Sequence, residues 1–197
     1  MVTPGFQGRP RREAANLPPG QQVVDDFPIL TAGPTIYLEP EEWELTVRDG
    51  AVSKRYTWES IHQLSQTNVT VDIHCVTHWS KLGTNWSGVA VGDLLDDAGV
   101  SGGEYASISS YGDYSTNMPV EDLVNHDAIV ATSYENGPIE AEHGGPVRLL
   151  VPHLYLWKSA KWVREIRLTA EDEPGFWERL GYHIYGDPWQ EQRYFGD

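Results

Sequence analysis

From Gly144 to Val163 the chain reads GGPVRLLVPHLYLWKSAKWV, and the reading of the fold starts there. His143-Gly144-Gly145-Pro146 is a turn, because two glycines and a proline in succession neither hold a helix nor fill a central strand. Val147 to Val151 follows as a short, almost continuous apolar run, the pattern of a buried strand. A further strand is expected from Trp162 to Leu168. Between the two lie Lys158 and Lys161, with Arg148 inside the first.

These cations stand out against the rest of the chain. It has 14 Lys and Arg against 29 Asp and Glu, a formal net charge of -15. No Lys or Arg occurs between Lys81 and Arg148, and then Arg148, Lys158, Lys161, Arg164 and Arg167 fall within twenty positions. One reading is a solvated strand face of alternating charge. The other is an anion pocket, in which Arg and Lys act with the backbone amides of neighbouring turns. The acidic balance argues against nucleic acid or an anionic membrane surface as a partner, since either needs a basic face to displace counterions.

Working outward, Trp43, Leu45 and Val47 alternate with Glu44, Thr46 and Arg48, and Asp49-Gly50 turns the chain toward a second run ending near Trp58, a hairpin signal. Strands are expected at Tyr105 to Tyr111 and Ala128 to Ser133, with Asn136-Gly137 as a turn. Val89 to Ala98 has helical spacing and Gly99 as its stop, and Pro119 to Asn125 reads as a second short helix. Residues 1–28, rich in Pro, Gly, Gln and Arg without hydrophobic period, read as an N-terminal arm, and 29–197 as one domain. Arg9, Arg11 and Arg12 precede no apolar run of the kind a secretory signal requires. No stretch approaches the roughly 20 apolar residues of a membrane span. The aromatics between Pro174 and Asp197 suggest a tail that covers the body.

Val69, Val71, Ile73 and Cys75 share one face of a strand, while Thr70, Asp72 and His74 share the other, so the only cysteine ends an apolar face with its thiol inward. With no second cysteine there is no intrachain disulfide, and a reducing, cytoplasmic setting is the simpler expectation. The residues alone leave four readings of Cys75. It is a buried structural thiol, half of a Cys-His pair, a zinc ligand, or a soft thiolate ligand to a redox metal carried by an organic cofactor.

At HCVTHWS, His74 to Ser80, and at the block from Gly144 to Val163, the sequence resembles the molybdopterin-binding domain of the sulfite oxidase family. The likeness runs from about Pro28 to Tyr194 and is nearest to the bacterial single-domain branch, which includes the catalytic subunit of the methionine sulfoxide reductase and its cytoplasmic relatives. The resemblance implies an α+β, mixed and strand-rich fold that holds molybdopterin, with Cys75 as the protein ligand to molybdenum and the catalytic residue. Position by position, Arg148 and the Ser159-Ala160-Lys161 run match places where the family holds the pterin and its phosphate. Ser110 stands where the sulfoxide reductase branch has a threonine, and His143 where it has an asparagine. Thr31 is the closest candidate for a further asparagine. His78, Trp79, Tyr114 and Trp157 are candidate neighbours of the substrate.

The implied activity is two-electron oxygen-atom transfer on a small-molecule substrate of the sulfoxide, N-oxide or sulfite class, with a separate electron-transfer partner. Animal and plant sulfite oxidases carry arginines shortly after the cysteine, where this chain has His78, Trp79, Ser80 and Lys81, which speaks against sulfite. The competing reading is a non-catalytic protein-binding module in which Cys75 is a buried structural thiol.

Overall fold

The structure is a computed structural model that describes residues 16–197. The hairpin forms where the alternation places it, as β2 (Glu44–Asp49) and β3 (Val52–Thr57), with Leu45 and Val47 fully buried on one face. Thr57 closes the hairpin and opens helix α1 (Trp58–Gln63), its hydroxyl accepting from the Ser60 amide at 3.3 Å. β6 (Tyr105–Ser110), β7 (Ser115–Pro119) and β11 (Val163–Thr169) complete a five-stranded sheet in the order β3-β2-β11-β6-β7. β11 pairs parallel with β2 and antiparallel with β6, so the sheet is mixed.

The second sheet is built around the longest strand, β5 (Trp79–Ala90), which follows β4 (Thr67–His74) across a tight turn. β8 (Ile129–Tyr134), the two-residue β9 (Gly137–Pro138) and β10 (Arg148–Leu150) extend it, and β4 pairs along the other edge of β5. The spacing of Trp79, Leu82, Trp86 and Val89 is that of a helix, yet the segment is extended. Register shifts opposite Ile73 and beside Gly88 move the buried positions out of strict alternation. At Gly88 a Cβ would lie 2.1 Å from the carbonyl oxygen of Val130, so only glycine allows β8 to come this close. Helix α2 therefore begins later than its pattern suggests, at Val91, and runs to Ala98, with Gly99 left-handed at its end. Helix α3 (Val120–Val124) and the single turn α4 (Phe176–Arg179) are short.

Asn16 to Pro28 lies on the body. Its strand β1 (Gln22–Val23) pairs parallel with Trp79 and Ser80 at the start of β5. Phe27 stacks on His143 with ring centres 4.0 Å apart. Residues 1–15, with Arg9, Arg11 and Arg12, lie outside the described residues. Two apolar clusters result. One fills the space between the five-stranded sheet and helices α1 to α3; the other, with Ile73, Trp86, Leu150 and Tyr155, underlies the turn that carries Cys75.

Candidate active site

Strand β4 delivers Cys75 to the turn before β5. The Cys75 amide donates to the Trp79 carbonyl at 2.9 Å and its own carbonyl accepts from His78 at 3.1 Å, with His78 at a φ of 72°. Two distant segments clamp this turn. Gln21 of the arm donates to the Cys75 carbonyl at 3.0 Å, and Arg193 near the C-terminus donates to the Val76 carbonyl at 2.6 Å. The thiol is 8% exposed, and the Thr77 hydroxyl donates to its sulfur at 3.1 Å. Burial pushes the thiol pKa up, more than Thr77 and the Arg193 charge draw it down.

Cys75 opens into a cavity of about 620 Å³. Of the residues that sequence reasoning assigns to the cofactor, Cys75, Ser110, Arg148, Ser159 and Lys161 line it, and Thr31 does as well. His143 and Ala160 do not. His143 sits behind Phe27, and the Ala160 carbonyl accepts from the Leu149 amide at 2.8 Å, a contact that sets the backbone of the block. Trp79, Tyr114 and Trp157 line the cavity, whereas His78 turns away, its Nδ1 3.1 Å from the Gly20 carbonyl.

The electrostatics of the cavity are unusual for so acidic a chain. Arg148 is 2% exposed and donates to the carbonyls of His143 at 2.7 Å and Ser159 at 2.8 Å. Lys161 donates to the carbonyls of Leu30, at 2.7 Å, and Glu142. Neither forms an ion pair among the described residues. Burial lowers Arg148 to about 10. Burial and then the Arg148 charge lower Lys161 to about 8, against the opposing pull of Glu142. Arg148 and Lys161 also lie 5.6 Å from the ring centres of Trp86 and Trp162, and two cations with only carbonyls and rings for partners need an anion to offset their desolvation. Gly144 makes their approach possible: its φ is 100°, and a Cβ there would lie 2.7 Å from the Cβ of Lys161.

The other cations of the run go elsewhere. Lys158 is fully buried against Glu178, and Arg167 pairs with Glu173. Arg164 lies over the Tyr111 ring. The run of five is thus two cations paired with carboxylates, Arg164 over a tyrosine ring, and two pocket cations, Arg148 and Lys161, without a carboxylate among the described residues. Sequence spacing cannot separate these, because the partners are recruited from remote strands and loops.

Much of the remaining lining is aromatic. Trp157, Phe176, Trp177 and Tyr182 line the cavity, with Trp157 and Tyr182 edge to face at 5.2 Å. Glu178 fixes this wall, accepting from the Trp157 indole at 3.0 Å and the Thr116 hydroxyl at 3.1 Å. The tail thus contributes Trp177 and Tyr182 to the site, while Trp189, Tyr194 and Phe195 stay 46%, 53% and 89% exposed. Sequence reasoning missed Gln21, Thr77, Glu178 and Arg193, none of which carries a local signal.

Inside the cavity two buried polar atoms have no partner among the described residues, the Ser110 hydroxyl and the Trp79 indole nitrogen. A soft buried thiol, two cations without carboxylates and orphaned donors together fit an anionic, metal-carrying organic cofactor.

The profile of the oxidoreductase molybdopterin binding domain matches residues 32–177. An uncharacterized oxidoreductase of Bacillus subtilis, YuiH, is 40% identical over 189 residues, covering 94% of this chain and 95% of its own. The catalytic subunit of a protein-methionine-sulfoxide reductase from Xanthomonas campestris is 26% identical over 58% of this chain, which spans 40% of that relative. Among solved structures, the sulfane dehydrogenase SoxCD of Paracoccus pantotrophus shares the fold at a TM-score of 0.63 and 21% identity, over 70% of this chain and 41% of its own.

Proposed function

Because this chain belongs to the oxidoreductase molybdopterin binding domain family, and is thereby a molybdopterin-dependent oxidoreductase of the sulfite oxidase type, we propose that its substrate is a neutral sulfoxide or N-oxide rather than sulfite. Molybdenum held by the pterin supplies the two-electron oxygen-atom transfer. The chain's own residues bind, orient and exclude water.

Cys75 is the residue we assign as the metal's protein ligand. Its surroundings disfavour a bare thiolate, and a bound cation reverses that balance. Arg148 and Lys161 would neutralise the anionic part of the cofactor, and Ser110 would give it a hydroxyl. Ser159, whose own hydroxyl accepts from the Val151 amide at 2.8 Å, holds the loop that presents Lys161. Ala160 and His143 act through the backbone, by the carbonyls they offer to Leu149 and Arg148.

The observation that carries the substrate assignment is the charge of the lining. Arg148 and Lys161 are the only Lys or Arg side chains there among the described residues, and both are given to the cofactor. The rest of the lining is largely apolar and aromatic, Trp157, Phe176, Trp177 and Tyr182 among it, with Asp113 its only carboxylate among the described residues, a surface suited to an apolar body and poor at drawing a dianion out of water. The sulfoxide reductase relative is in keeping with this reading.

The unpaired thiol supports a cytoplasmic location, where a reducing medium preserves it as a ligand. Among the described residues no helix is long and apolar enough to cross a membrane. Electrons would come from a separate partner.

The test is to purify the protein from a molybdenum-replete host, count molybdenum and pterin per chain beside a Cys75→Ser control, and measure turnover of sulfoxides, N-oxides and sulfite with artificial electron carriers. The expected result is metal in the wild type, its loss in the variant, and kcat/KM for a sulfoxide or N-oxide above that for sulfite. A clear preference for sulfite overturns the substrate assignment.

A further inference from the structure

A second cluster of ligand-type side chains lies outside the cavity. Asp122 on α3, His126 in the turn after it and His153 in the loop following β10 each offer an atom within 4.8 Å of the other two. Asp122 is 2% exposed. One of its oxygens, Oδ1, accepts from His153 Nε2 at 2.7 Å and from the Tyr185 hydroxyl at 2.8 Å. The other, Oδ2, is buried without any partner among the described residues, and so is His153 Nδ1. The rings of His126 and His153 lie side by side, their centres 4.3 Å apart. No Lys or Arg pairs with Asp122 among the described residues.

We propose that Asp122, His126 and His153 bind a divalent cation of the zinc class at a site separate from the cavity that holds Cys75.

Two imidazoles and one carboxylate form a nitrogen–oxygen donor set that suits zinc better than calcium or magnesium, which take oxygen ligands. The unpartnered Oδ2 explains itself as a ligand atom. Left alone it is a buried acceptor without a hydrogen bond, which native interiors rarely keep. Tyr185 holds the opposite oxygen and so fixes the carboxylate's orientation, the usual task of an outer partner at a metal site. His126 is exposed, so the cation has an entry path and solvent completes its coordination.

The elements joined are informative. α3, the loop between β10 and Lys158, and the tail at Tyr185 meet at this cluster, and the loop leads directly to Leu156 and Trp157 on the cavity wall. A cation at this point fastens the tail to the block that carries the cofactor contacts.

The experiment uses molybdenum-loaded protein, so that Cys75 is already engaged, stripped of loosely held metal by a chelator and titrated with zinc chloride. The wild type should retain a single zinc per chain after dialysis and melt at a higher temperature with zinc than without. His126→Ala, at an exposed position, should lose that zinc while keeping its molybdenum and its circular dichroism. Tyr185→Phe, which removes only the hydrogen bond, should weaken zinc binding by about 10–100-fold. Absence of retained zinc in the wild type, or equal retention in the wild type and both variants, overturns the site.

Discussion

Cys75 and its immediate contacts show how single side chains set the chemistry. Its sulfur accepts from the Thr77 hydroxyl, with the Thr77 and Val76 backbone amides also close, and a hydrogen bond to an anionic sulfur tunes the donor strength of the ligand. Thr77→Val keeps the shape and removes that bond, worth about 1–1.5 kcal/mol, so kcat should fall by up to about tenfold while Thr77→Ser retains it. Steady-state turnover with a fixed electron carrier measures this, and equal rates in both variants would show the bond to be idle. His143 gives a second prediction. Burial first, then the charges of Arg148 and Lys161, lower its pKa to about 4 against the opposing effect of Glu142. The unfolded chain takes up this proton near pH 6.5, as a free imidazole does, and so holds more protons than the folded state between the two values. The contribution to stability is complete above about pH 6.5 and is lost as pH falls toward 4, up to about 3 kcal/mol. Urea melts of cofactor-free protein at pH 7 and pH 4.5 should therefore differ more for the wild type than for His143→Gln.

At the scale of elements, the turn of helix at Phe176–Arg179 is too short to hold its own shape and is kept by one buried charge pair. Lys158 and Glu178 are almost wholly buried, and Lys158 also donates to the Asn117 and Ile184 carbonyls at 2.8 and 2.6 Å. Glu178→Gln leaves the ammonium without a counter-charge while keeping an acceptor for Trp157, and should cost about 3–5 kcal/mol. For a chain of this size that is a fall in Tm of about 10 °C. The double variant Lys158→Met/Glu178→Gln should recover most of the loss; a deficit equal to the sum of the single changes would place the stabilisation in packing instead. The same scale shows where local pattern failed. β2, β6 and β11 announce themselves because each has one wet and one dry face, whereas β3 buries only Tyr56 and is legible through the Asp49-Gly50 turn before it. β5 does not, since it has partners on both edges and two register shifts, and its buried residues Trp79, Ser80, Thr84, Trp86, Gly88 and Val89 follow no single period.

For the molecule as a whole, the formal charge of -15 contrasts with a cavity whose two cations are buried in the case of Arg148 and half-buried in that of Lys161, so an approaching redox partner meets a negative surface. Oxidation of a cationic carrier's reduced form by the loaded enzyme should slow as salt rises from about 10 to 150 mM, because the Debye length shrinks from about 30 to 8 Å, while a neutral carrier should be unaffected. Stopped-flow traces with the two carriers check this, and a salt-independent rate for the cationic one would remove the steering. The sequence by itself determined the strand-rich character, the hairpin, the inward thiol of Cys75 and the two blocks that carry the family, since each is written in neighbouring residues. Only the tertiary structure decided which of five clustered cations face the cavity, that Gln21 and Arg193 clamp the cysteine turn, and that His143 stands behind Phe27. Those facts depend on which remote segment supplies a carboxylate, a carbonyl or a ring at a given point, and packing alone brings such segments together.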